Sequence, residues 1–150
     1  MALANPFRGS IGNTSRQPQE QDPGHPPGAP VSLAAMRHML LVAAGGAVGS
    51  VARHLVGRAL AAVPGGYPWG TLVVNVAGAF VLGAVLARWP APDADARALL
   101  GVGLCGGFTT FSALAAELTA LPPARAGAYA AASLVLGVAS VLAGRALVLR

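Results

Sequence analysis

From residue 36 onward the chain is apolar almost without interruption, and three pairs of prolines divide it: Pro64 with Pro68, Pro90 with Pro92, and Pro122 with Pro123. Proline has no amide hydrogen and costs about 3 kcal/mol inside a helix, so each pair marks a loop. Four helices are predicted, over residues 36–63, 69–89, 96–121 and 124–149. At about 1.5 Å per residue, each can cross roughly 30 Å of hydrocarbon. The fold class that follows is an all-α membrane protein with four transmembrane helices in the domain 36–150. An even number of crossings returns both ends to one side of the bilayer.

Residues 1–35 lack this pattern. The run Gln17-Pro18-Gln19-Glu20-Gln21-Asp22-Pro23-Gly24-His25-Pro26-Pro27-Gly28 holds too little apolar surface to offset its ordering entropy. It is expected to be a disordered N-terminal tail. No short apolar core with a small-residue cleavage site follows its basic residues, so it does not resemble a signal peptide.

Composition supports the membrane reading. The chain is 55% hydrophobic and 10% charged, with mean hydropathy +0.62, whereas soluble domains are about a quarter charged. The net charge of +5 comes from ten arginines and no lysine. They are scattered, and aromatic residues make up only 5% of the chain, so no nucleic-acid surface is expected. Arg37, Arg88, Arg97, Arg145 and Arg150 fall on the side of the termini, and Arg58 and Arg125 on the other, which favours termini in the cytoplasm. The single cysteine, Cys105, excludes an intrachain disulfide and a cysteine metal cluster. His25, His38 and His54 have no ligand spacing, and no catalytic constellation is present, so an enzyme is not expected.

Polar residues inside the predicted spans narrow the function. In helix 1, Gly45 and Gly49 form a small-xxx-small pair suited to close helix approach. Arg53 follows one turn later, where a charge costs at least about 2.5 kcal/mol. It either extends to the headgroups or supplies positive potential beside an anion route. In helix 2, Thr71 and Asn75 share a face, as interhelical glue or as donors along a polar track. In helix 4, Tyr129 and Ser133 share a face, and the serine can instead bond the carbonyl one turn back.

Helix 3 carries Gly101-Val102-Gly103-Leu104-Cys105-Gly106-Gly107-Phe108-Thr109-Thr110-Phe111-Ser112. Gly101, Gly103 and Gly106 fit a dinucleotide fingerprint, but a membrane span supplies neither the preceding strand nor the distant acid that motif needs. Gly106-Gly107 beside Thr109-Thr110 predicts a break in mid-span, with hydroxyls satisfying the released backbone groups. Carbonyls freed at such a break can coordinate a monovalent cation.

Three motifs in order, Gly45-Gly46-Ala47-Val48-Gly49-Ser50-Val51-Ala52-Arg53, Gly70-Thr71-Leu72-Val73-Val74-Asn75-Val76-Ala77-Gly78 and Gly106-Gly107-Phe108-Thr109-Thr110-Phe111-Ser112, resemble the Fluc (CrcB) family of bacterial fluoride channels. The resemblance covers about residues 38–145. It implies a third helix broken mid-membrane and an antiparallel dual-topology dimer with two fluoride pores. It further implies a structural sodium ion at the dimer centre, held by the backbone carbonyls of Gly106 and Thr109. By the same resemblance the fluoride pore involves Asn75, Phe111, Ser112, Thr71, Arg53, Tyr129, Ser133 and Glu117. The implied location is the bacterial cell membrane, and the implied activity is passive fluoride export.

The chain departs from the family at Leu114, where a second phenylalanine is usual. A ring edge carries the positive part of the aromatic quadrupole and can replace water around a small anion. Leucine has no such field. The departure leaves a homodimer or a heterodimer with a related subunit open. Two rival readings are a small proton-coupled drug exporter, which needs a titratable carboxylate in mid-membrane, and a non-conducting membrane scaffold.

Overall fold

The computed structural model describes residues 32–61, 66–92 and 94–150. The expectation for the N-terminal tail falls outside them, apart from 32–35, where the first helix already begins. All regular structure among the described residues is helical. Helix α1 runs Leu33–Ala59, three residues earlier at its start and four at its end than the proline pattern predicts. Ser32 sets the start: its Oγ accepts the Ala35 amide at 3.1 Å and satisfies one of the unpaired first-turn donors. Helix α2 is Trp69–Arg88. The third span begins as α3, a π-helical stretch Arg97–Cys105 continued by the turn Gly106–Phe108, and resumes as α4, Phe111–Ala120. Helix α5, Pro123–Val148, opens on a proline, where a missing amide hydrogen costs nothing.

Four segments are long and apolar enough to cross a membrane: Leu33–Ala59, Trp69–Arg88, Arg97–Ala120 and Pro123–Val148. The chain is a multi-pass membrane protein. Among the described residues the buried apolar set is small, with Leu72, Val74, Val85, Ala98, Cys105 and Tyr129, while residues such as Leu40, Val51, Leu55, Val102, Leu134 and Leu142 face outward. In lipid the hydrophobic effect does not press helices together, so close backbone packing has to.

Glycine supplies that packing in two seams. Between α1 and α3, a Cβ on Gly45 would strike the Leu99 carbonyl, one on Gly49 the Leu104 carbonyl, and one on Gly107 the Gly46 carbonyl. Between α2 and α5, a Cβ on Gly83 would strike the Val141 carbonyl and one on Gly144 the Phe80 carbonyl. The pair Gly45/Gly49 therefore does what its spacing predicts. At the end of the bundle nearest the start of α1, Arg37 pairs with Asp95, and His38 Nε2 lies 3.5 Å from the same carboxylate.

Candidate functional site

The third span is interrupted at its two threonines. Gly106 is helical (φ −62°, ψ −40°), whereas Thr109 (φ −83°, ψ 158°) and Thr110 (φ −152°, ψ 119°) are extended before the helix resumes at Phe111. The non-helical residues are thus Thr109-Thr110 and not Gly106-Gly107, where the glycine pair had placed the weak point. The reason lies in the packing: Gly107 is the point where α1 touches α3 backbone to backbone, and close approach, rather than loss of helix, is what requires a glycine there.

Side chains take up backbone groups at the interruption. The Thr110 amide donates to Asn75 Oδ1 at 2.7 Å, and Asn75 Nδ2 donates to the Thr110 carbonyl at 3.1 Å. A backbone N–H can only donate, which fixes the orientation of the Asn75 amide. Arg53 Nη1 lies 3.4 Å from the Thr109 carbonyl. Thr109 Oγ1 donates back to the Cys105 carbonyl at 2.9 Å, and Thr110 Oγ1 accepts the Ala113 amide at 3.3 Å, capping α4. Away from water such groups need partners within the protein, and these contacts supply them for the Thr109 carbonyl and for both backbone groups of Thr110. Arg53 thus reaches the main chain of the interruption through one guanidinium nitrogen.

A second cluster lies two turns further along α4. Glu117 accepts from Thr71 Oγ1 at 2.6 Å and from the Tyr129 hydroxyl at 2.7 Å, one bond to each carboxylate oxygen. Tyr129 is fully buried, and the ring of Tyr67 packs edge-on against it with centroids 5.2 Å apart. Thr71 and Asn75 share a face of α2 as their spacing predicts, and that face serves both ends of α4: Asn75 at the start and Thr71 near the finish. Ser133 does not join. Its Oγ is buried with no hydrogen-bond partner, neither Glu117 nor the carbonyl one turn back.

Beside the interruption an open pocket of about 240 Å³ is lined by Asn75, Thr109, Thr110, Phe111 and Leu114. The Phe111 side is 80% exposed, so the chain walls this pocket on one side only. Ser112 is exposed nearby, with its Oγ 3.2 Å from Thr110 Oγ1. The structure therefore brings together Arg53, Asn75, Thr109 and Thr110 at one point and Thr71, Glu117 and Tyr129 at another, with Phe111 and Ser112 on the open side.

Residues 40–145 match the family model described as CrcB-like protein, Camphor Resistance (CrcB), a span that contains every residue of both clusters. The chain belongs to the CrcB family. Among its relatives, the fluoride-specific ion channel FluC of Caulobacter vibrioides (strain NA1000 / CB15N) is 48% identical over 119 residues, covering 73% of this chain and 93% of that protein. The FluC of Rhodospirillum centenum is 45% identical over 122 residues, 75% of this chain and 96% of its own. That of Hyphomonas neptunium is 44% identical over 119 residues, 73% and 93%. The CrcB match thus takes in all four spans.

Sequence reasoning did not reach the contacts between spans. The Asn75–Thr110 pairing had one available signal: an amide in a span needs both a donor and an acceptor, and an extended peptide unit supplies both. The Arg53 contact and the Arg37–Asp95 pair had none, because neither spacing nor composition brings together residues 56 and 58 positions apart.

Proposed function

We propose that the chain is a subunit of a fluoride-selective channel that lowers cytoplasmic fluoride by passive export. The observation that carries this reading is the Asn75 amide, fixed by Thr110 at the edge of an open pocket inside a member of the CrcB family. Asn75 Nδ2 has two hydrogens and gives one to the Thr110 carbonyl, leaving the second for an anion. Ser112 Oγ adds a donor, and the Phe111 ring offers its positive edge. Arg53 adds positive potential behind the interruption. Such an array exchanges a small anion's water for weak, replaceable donors, as conduction requires. No covalent step is involved. A proton-coupled exporter would need a carboxylate open to its substrate, whereas Glu117 is engaged by two hydroxyls.

The pore needs a second wall. The exposure of Phe111 and the one-sided pocket support a dimer in which a second subunit, identical or related, closes the route. The antiparallel arrangement follows the family resemblance. Leu114 lines the pocket where the family has a ring, and this suits a subunit whose partner differs from it.

A structural sodium ion belongs to the same proposal. Its candidate ligands are the carbonyls of Gly106 and Thr109, hard oxygens of the kind alkali cations take. The amide that would bond the Gly106 carbonyl in an uninterrupted helix is that of Thr110, and it is turned to Asn75. The Thr109 carbonyl carries the long contact from Arg53. The released Gly106 carbonyl supports a monovalent cation site, which the Thr109 carbonyl joins once Arg53 gives up its contact, with the rest of the shell drawn from the partner.

The test is ion efflux from liposomes holding this purified chain alone. Fluoride efflux that chloride does not match is expected of a homodimer. Efflux that appears only when a related subunit is added assigns the heterodimer, and silence in both settings overturns the reading.

A further inference from the structure

The seam between α2 and α5 holds a hollow that neither polar cluster opens into. It measures about 540 Å³, is apolar, and runs from Trp69 past Val73 to Phe80 and Ser140. A second hollow of about 220 Å³ begins at the same Phe80 and continues past Ala143 to Arg150. The two share a wall and lie in line along α5. In the same stretch α2 and α5 meet backbone to backbone, Gly83 against Val141 and Gly144 against Phe80. From Leu136 to Arg150, α5 rises about 21 Å, which exceeds half of the hydrocarbon thickness of roughly 30 Å. That is room for one acyl chain of one leaflet.

Charge selects the occupant. The groove ends at Arg150, and Arg88 and Arg145 stand in the last turns of α2 and α5 at the same end of the bundle. The described acid at that end, Asp95, is engaged by Arg37. A neutral apolar segment of protein would meet this cluster of arginines without a counter-charge, whereas a lipid phosphate supplies one. Basic residues at a membrane surface attract anionic lipids in this way.

We propose that the α2–α5 seam binds an anionic phospholipid, its acyl chain lying across Phe80 and its phosphate at Arg150. The site is on the side of α2 away from Asn75, so the lipid holds the seam without entering the pocket at the interruption.

Native mass spectrometry of the purified full chain, extracted with equal phosphatidylglycerol and phosphatidylcholine, tests this. The chain is expected to retain phosphatidylglycerol over phosphatidylcholine by about fivefold. Arg150→Gln should bring that ratio towards one while lipid is still retained. Ala143→Leu and, independently, Ala146→Leu should fill the groove and strip both lipids. Equal retention of the two lipids by the unaltered chain overturns the proposal, as does a preference that survives Arg150→Gln. If the leucine variants dissociate oligomers and leave lipid retention unchanged, a second copy covers the seam and the proposal fails. These readouts are of lipid binding and not of flux, so they stand or fall apart from the fluoride reading.

Discussion

At the start of α4, one side chain, Asn75, takes the amide and the carbonyl of a single residue, Thr110; near its end, two hydroxyls converge on one carboxylate, Glu117. Both clusters use the same face of α2, yet they differ in what they satisfy. Asn75 replaces hydrogen bonds that the helix gave up, so its partners are main chain and cannot be removed by substitution. The Glu117 cluster is built of side chains, so each member can be deleted together with its partner. Removing one partner of a buried hydrogen bond strands the other, whereas removing both is nearly neutral. The start of α4 should therefore resist every rescue, and its end should permit one.

The strongest way to break this comparison is Asn75→Asp. An aspartate still accepts from the Thr110 amide, but it offers no donor to the Thr110 carbonyl and places a negative charge beside the proposed fluoride route. Fluoride efflux from liposomes is expected to fall by about 100-fold, the factor that 2–3 kcal/mol of lost donor and added repulsion implies. Oligomeric state, followed by size exclusion, should be kept. Efflux near the unaltered level would place the anion route away from Asn75.

Glu117→Leu sharpens the contrast at the other end. It leaves the Thr71 hydroxyl without its acceptor and Tyr129 with only the long 3.5 Å contact to the Pro68 carbonyl, and a loss of about 2 kcal/mol in unfolding free energy is expected. The triple variant with Thr71→Val and Tyr129→Phe should regain most of that loss, because no buried hydroxyl then lacks an acceptor. Denaturation of the three proteins in detergent measures it. A triple variant as unstable as Glu117→Leu would mean that the carboxylate acts on something other than these hydroxyls.

These two ends were not equally legible in the sequence. The proline pairs locate the loops because a missing amide hydrogen acts locally, and the four spans follow to within a few residues. The helical register of Thr71 and Asn75 is local too, and it places both on one face. The position of the interruption is not local. Gly106-Gly107 is the weakest point of the isolated helix, but α1 packs against Gly107, and Asn75, 35 residues away, draws the amide of Thr110 out of the helical ladder. Tertiary contacts therefore decide which residues of the stretch 106–110 leave the helix. Ser133 is non-local in the same way: its spacing from Tyr129 is set by the helix, but spacing does not say what meets its hydroxyl, which has no hydrogen-bond partner among the described residues.

Tyr129→Phe alone is a milder probe of the same cluster. It removes one of the two donors to Glu117 and leaves Thr71 in place, so the carboxylate loses a bond without being stranded. A loss of about 1 kcal/mol is expected in the same denaturation measurement. The Tyr67 ring packs on an aromatic face that phenylalanine keeps, so the edge-on contact at 5.2 Å should survive. A loss as large as that of Glu117→Leu would show that Tyr129 holds the cluster through packing.

The smallest effect is expected outside both clusters, at Arg37→Gln. The Arg37–Asp95 pair links the first turns of α1 to the residues just before α3, and its side chains are 67% and 43% exposed. Water and salt screen such a pair, and exposed ion pairs contribute about 0–1 kcal/mol. Glutamine keeps a donor amide on a shorter side chain, so the change removes the charge and the reach to Asp95 together. Stability should drop by less than about 1 kcal/mol at low salt and by less still as ionic strength rises, since screening already weakens the native pair. His38 Nε2, 3.5 Å from the same carboxylate, remains to hold Asp95. Should Arg37→Gln instead cost as much as Glu117→Leu, exposure would not be what separates strong polar contacts from weak ones in this bundle. The contrast between the two ends of α4 would then reflect their places along the span and not the chemistry of their partners.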